Sequence, residues 1–87
     1  MPRKFWTVVR EHRFEKELRS LIRDVIRADE FVEGAEFVLA RDPTTGTQVS
    51  VNPPIWLMPM ALIDQDQITL YYAFNETTVW LLSIQKG

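Results

Sequence analysis

The sequence predicts a single α+β domain, residues 1–87, in which an N-terminal strand and two amphipathic helices pack on one face of a mostly antiparallel sheet of three or four strands. Three observations predict it. Apolar residues recur at helical spacing from Phe14 to Leu39. From Ile55 onward the apolar residues are rich in β-branched and aromatic types and fall into strand-length runs. Between the two lies a turn-rich stretch, Asp42-Pro43-Thr44-Thr45-Gly46. With 87 residues and no repeat, linker or low-complexity segment, one domain accounts for the chain.

Lys4 to Val9 reads Lys-Phe-Trp-Thr-Val-Val and predicts the first strand. The spacing of Phe14, Leu18, Leu21, Ile22, Val25 and Ile26 predicts a helix over residues 11–27, supported by Glu15 four residues before Arg19. Asp29 is placed to cap a second helix, with Glu30 and Glu33 suited to its positive end. Phe31, Ala35, Val38 and Leu39 form the apolar stripe of that helix, and Pro43 stops it. Gly34 weakens it by roughly 1 kcal/mol relative to alanine. The missing side chain there suggests close packing on the first helix.

The residues up to Pro54 read as polar loop, with an extended piece over Gln48–Val51. Ile55–Met60 reads as a strand, and Pro59 predicts that it lies at an edge or ends at a bulge. A polar connection, residues 63–67, leads to the clearest element, a hairpin of residues 68–74 and 78–84. Alternation puts Ile68, Leu70, Tyr72 and Phe74 on one face with Val79 and Leu81. Thr69, Tyr71 and Ala73 share the other face with Trp80, Leu82 and Ile84. The first set is the more apolar and is expected under the helices. The second leaves Tyr71, Trp80 and Leu82 as a partner-binding patch, unless the C-terminal tail or a second copy of the chain, as a homodimer, covers it.

Composition removes several kinds of chemistry. The apolar fraction of 46% and charged fraction of 25% argue against disorder. Without cysteine there is no disulfide, thiolate metal site or cysteine nucleophile, and a lone His12 forms no histidine cluster; no metal or cofactor is expected. No apolar run is long enough to span a membrane, and the N-terminal one is soon interrupted by Arg10 and Glu11, so the expected location is the cytoplasm. No elbow surrounds Ser20, Ser50 or Ser83, no glycine-rich phosphate loop exists, and Asp64 and Asp66 read as solvated loop acids. Charge is uneven. Residues 1–27 hold eight Lys/Arg against four acids, a net +4, and residues 28–87 hold two against eight, a net −6. Lys16, Arg19, Arg23 and Arg27 would form a weak phosphate-binding row along one helix. A solvated or ion-paired face explains the same spacing.

The order of elements resembles the RelE/ParE superfamily of toxins from type II toxin–antitoxin pairs. "VVREHRFEKELRSLI" is similar to its opening strand and Phe-x-x-x-Leu helix (Phe14, Leu18), and "EFVLARDPTTGTQV" to its second helix and x-Pro-x-x-Gly turn (Pro43, Gly46). "ITLYYAFNETTVWLLSIQKG" is similar to its closing hairpin. The resemblance implies a bacterial toxin neutralised by a cognate antitoxin, acting on DNA gyrase or, as an endonuclease, on ribosome-bound mRNA. Basic residues expected of the cutting members are missing here. Residues 55–60 read Ile-Trp-Leu-Met-Pro-Met, and the next strand opens Ile-Thr-Leu-Tyr-Tyr. Removing one charge-stabilising donor from an active site typically costs roughly 2.7–4 kcal/mol of transition-state stabilisation. For a nuclease, Lys86 and Tyr71 would be left as the catalytic groups. The expected reading is therefore a gyrase-type or catalytically degenerate toxin that works by binding; the alternatives are the endonuclease and a non-toxic interaction module.

Overall fold

Asp24, not Asp29, divides the helical region. In the computed structural model, which describes residues 4–61 and 63–87, the first strand β1 is Thr7–Arg10 and helix α1 is His12–Leu21. Ile22 is extended, and the Asp24 carboxylate accepts from the Ile26 and Arg27 amides at 3.0 and 3.3 Å. This satisfies two orphan donors of helix α2, Val25–Arg41. The single helix expected over residues 11–27 thus ends early, since one cap at residue 24 starts a new axis. Val25 and Ile26 leave the apolar stripe and are 50% and 70% exposed. Asp29 is free to bond elsewhere. Asp42 is extended before Pro43 and ends α2, as the sequence predicts.

A 3-10 turn, Pro43–Thr45, leads into β2, Thr47–Val51, then β3, Pro54–Pro59, β4, Ile68–Phe74, and β5, Thr78–Lys86. The sheet has five strands in the order β1-β5-β4-β3-β2, because the extended piece before Pro54 becomes a full strand. Only the β1–β5 pair is parallel. β3 is not an edge strand; β2 covers its outer side as far as Leu57. Pro59 lies beyond that point, where no ladder partner on that side needs its missing N–H.

The helices cover one face of the sheet. Phe14 and Leu18 of α1 and Ala28, Val32, Ala35 and Leu39 of α2 meet Ile68, Leu70, Tyr72, Val79, Leu81 and Ile84 in one buried cluster. Burying each such Leu, Ile, Val or Phe side chain is worth about 1.5–3 kcal/mol. Ile84 corrects the simple alternation. A bulge leaves Leu82 without a partner in β4, so Ile84 stands opposite Leu70 and joins the core. Val38, expected on the buried stripe, is 38% exposed, and Phe31 is only half-buried. A side chain at Gly34 would meet nothing within 4 Å, so this glycine makes no close helix contact. Among the described residues, no helix is long and apolar enough to cross a membrane.

Two polar devices tie the layers together. Arg10, at the end of β1, bonds Glu36 through two nitrogens at 3.1 and 2.9 Å, Asp29 at 2.8 Å and Glu15 at 3.2 Å. One guanidinium thereby links β1, α1 and α2. Its pKa is raised, chiefly by the Glu36 hydrogen bond; burial opposes this, and Asp29 and Glu15 add to it. Tyr72 is fully buried, yet its hydroxyl donates to the Pro43 carbonyl at 2.6 Å and accepts from the Gly46 amide at 3.1 Å. Burial raises its pKa. A Cβ at Gly46 would collide with the Leu57 carbonyl and the Tyr72 hydroxyl, so glycine is needed there for close approach.

Candidate functional site

The side of the sheet away from the helices is assembled from alternate residues of five strands. Thr7 and Val9 of β1 lie opposite Thr78 and Trp80 of β5, and Trp80 lies opposite Ala73 of β4. Tyr71 sits between Ser83 on β5 and Leu57 on β3, and Leu57 pairs in turn with Thr47 on β2. Ile55 shares the side of Leu57, two residues away. Leu82 stands at the bulge between Leu81 and Ser83, without a partner in β4. Tyr71, Ala73, Trp80, Leu82, Leu57 and Ile55 are all half-buried, and Val9 is 39% exposed.

Two properties define this face. It is apolar along a band, with Val9, Trp80, Ala73 and Ile55 in one row and Tyr71 and Leu57 in the next. Every strand position on this side is also apolar or neutral polar, and the Glu17 carboxylate of α1 reaches it only at the Ser83 end. One end is closed by internal hydrogen bonds. Thr69 Oγ1 donates to the Gly87 carbonyl at 2.7 Å, and Gln85 Nε2 to Ser83 Oγ at 2.8 Å. Ser83 Oγ in turn donates to Glu17 Oε1 at 2.7 Å; Glu17 comes from α1 at the β5 edge and is itself paired with Arg13 at 3.5 Å. These bonds explain why Thr69 and Ser83 are buried on an otherwise open side.

Of the expected partner-binding residues, the structure places Tyr71 and Trp80 on one face, while Leu82 stands at the bulge and is half-buried. It separates the two groups expected of a nuclease. Lys86 stands opposite the core residue Ile68 and so belongs to the helix-covered side, whereas Tyr71 is on the open one. Lys86 Nζ lies 3.4 Å from Asp66 Oδ2. Asp64, expected in a plain polar loop, has φ 50° and forms with Gln65 (φ 69°) a tight turn closed by reciprocal Ile63–Asp66 hydrogen bonds.

The basic row is also divided. Lys16 and Arg19 lie on α1, Arg23 in the link between helices, and Arg27 on α2. Arg19 pairs with Glu15 at 3.8 Å. Arg23 and Arg27 line a cleft of about 670 Å³ together with Asp24, Glu30 and Asp64, which leaves that cleft with no positive excess. No described side chains gather as a metal site of three or more His, Cys, Asp or Glu.

Sequence reasoning missed Arg10, the most connected side chain of the fold. Its partners lie 5, 19 and 26 residues away, so only the meeting of three elements reveals them. It also missed Leu57 and Ile55 as members of the open face. Period-two alternation through Trp56 and Met58 would have found them.

No family model matches the chain, and no curated protein matches it significantly.

Proposed function

We propose that this chain is a toxin-like component of a type II toxin–antitoxin pair that acts by binding a protein and is neutralised by a cognate antitoxin. The observation that carries this reading is the open sheet face, apolar along a band and with no charged residue at its strand positions. A phosphate-binding or RNA-cutting surface needs fixed cations, and this face offers none. A protein partner instead rewards burial of a Trp- and Tyr-bearing patch from which charges are depleted. The element order, a strand, two helices and then a sheet closed by a hairpin, supports the RelE/ParE resemblance. DNA gyrase is the target class that a non-cutting member would take, and the cytoplasm is its place of action.

The test is expression of the chain alone and together with the short reading frame beside its gene. Growth arrest relieved by the neighbour, with altered DNA supercoiling and intact mRNA, is the expected result. Cleaved mRNA would replace this reading with the endonuclease. Unaffected growth, supercoiling and mRNA would leave a non-toxic interaction module.

A further inference from the structure

We propose that the cleft at the joint between α1 and α2 binds a small apolar zwitterion, a free α-amino acid or a dipeptide with aliphatic or aromatic side chains. The inference is independent of the reading of the open sheet face.

The cleft exists because the helices do not run on as one. Ile22 is extended, Arg23 stands in the link, and α2 starts on a new axis. The end of α1, the start of α2 and the turn of residues 63–66 enclose about 670 Å³. That lies within the range of roughly 300–1,000 Å³ typical of small-molecule sites. Leu21, Ile22, Phe31 and Ile63 supply apolar wall, and all four are half-buried. Arg23, Arg27, Glu30 and Asp64 supply exposed charges of both signs.

The state of those charges points to the ligand. Elsewhere in the fold neighbouring opposite charges pair, as Arg10 does with three acids and Lys86 with Asp66. Among the described residues, none of the four cleft charges forms an ion pair. The fifth, Asp24, is already in use, since its carboxylate accepts from the Ile26 and Arg27 amides. Two guanidiniums and two carboxylates therefore line one cleft without a partner. A purely anionic ligand would meet Glu30 and Asp64, and a purely cationic one would meet Arg23 and Arg27. Like charges brought together oppose binding in either case. A molecule with one ammonium and one carboxylate answers both signs.

The placement of the charges orients it. Arg23 and Arg27 stand four residues apart at the start of α2, where the helix dipole also favours negative charge. A guanidinium offers a carboxylate two parallel N–H groups, so the ligand carboxylate belongs there. Glu30, nearly one turn further on, and Asp64 take the ammonium. Asp64 is held at the cleft by its turn, which the Ile63 and Asp66 amides close by donating to each other's carbonyls at 3.1 and 2.8 Å. The apolar wall then receives the ligand's side chains, which leave water as they bind.

Titrating the full chain with leucine, leucyl-leucine and the two end-blocked forms of the dipeptide tests this, with amide resonances followed by NMR. The pH is kept at about 6.5, below the α-amino pKa of about 7.7–8.0, so that the free amine is charged. We expect saturable shifts at the Phe31 and Ile63 amides with leucine or leucyl-leucine, the tighter of the two naming the ligand. Blocking either end, as N-acetyl-leucyl-leucine or leucyl-leucinamide, should weaken binding by about fivefold, the worth of one exposed ion pair. Arg27→Met and Arg23→Met should weaken the unblocked ligand without weakening leucyl-leucinamide, which has no carboxylate to lose. Glu30→Gln should do the same with respect to the N-acetyl form. No saturable shift up to about 20 mM would overturn the inference. So would shifts centred away from the cleft. Blocked forms that bind as well as the free dipeptide would show an apolar cleft indifferent to charge and overturn it too.

Discussion

The two faces of the β4–β5 hairpin are cut from the same strands and end in opposite states. On one, Ile68, Leu70, Tyr72, Val79, Leu81 and Ile84 are sealed under two helices. On the other, Tyr71, Ala73 and Trp80 are nearly as apolar but only half-buried. The helices are too few to cover both sides, and the more apolar side wins them because buried area is the dominant favourable term. What remains uncovered is available to another molecule. The comparison therefore separates residues that hold the fold from residues free to serve a partner.

The sharpest way to break that comparison is to truncate one residue on each side. Leu81→Ala should destabilise the protein by about 2–5 kcal/mol, enough to abolish folding in a domain of modest stability. Trp80→Ala should cost clearly less stability while weakening partner binding more, as read by denaturant melts and titration. Equal losses of stability at the two positions would return Trp80 to the core and remove the distinction.

Arg10 comes next. Replacing it with methionine leaves Glu15, Asp29 and Glu36 facing one another without their cation. Removing one member of a fully buried pair costs about 3–5 kcal/mol, and the 19% exposure of Arg10 argues for a smaller loss of roughly 2–3 kcal/mol. Unchanged stability in urea would mean that the helical layer docks without this anchor.

Tyr72→Phe probes the covered side with a smaller effect, about 1–2 kcal/mol, because the Pro43 carbonyl and Gly46 amide each lose a buried partner. It should also change the alkaline limb. The folded-state pKa of Tyr72 is raised above its ordinary value of 10.0, first by burial. Its contribution is therefore complete below pH 10 and is lost as pH rises through the folded value, since only the unfolded chain can ionise freely. Thermal melts between pH 8 and 11 should show a shallower decline for the variant than for the parent.

The smallest effect is a gain. Gly34 faces open space on α2, so Gly34→Ala should stabilise the protein by about 0.5–1 kcal/mol. A loss would place a close neighbour at that helix face and revive the packing role expected from the sequence.

Local patterns made the element types legible. The stop at Pro43, the hairpin strands and the core assignment of Tyr72 follow from chain geometry and period-two alternation, which act over a few residues. The joint between the helices was harder, because residues 24 and 29 both look like caps and only the Arg10 cluster decides which is used elsewhere. At the candidate site, Tyr71 and Trp80 were readable from alternation alone. The separation of Lys86 from Tyr71 depends on a bulge at Leu82, which no residue type nearby announces.

The sequence by itself determined the α+β class, the stripe that each element can bury and the absence of charge in residues 55–60 and 68–74, since these depend on residue type and spacing. Only the tertiary structure decided that β1 closes on β5, that β2 extends the sheet to five strands, and that Arg10 gathers acids from two helices. Those choices depend on contacts between residues far apart in the chain. Their energies arise only when distant segments are brought together, and no local pattern encodes them.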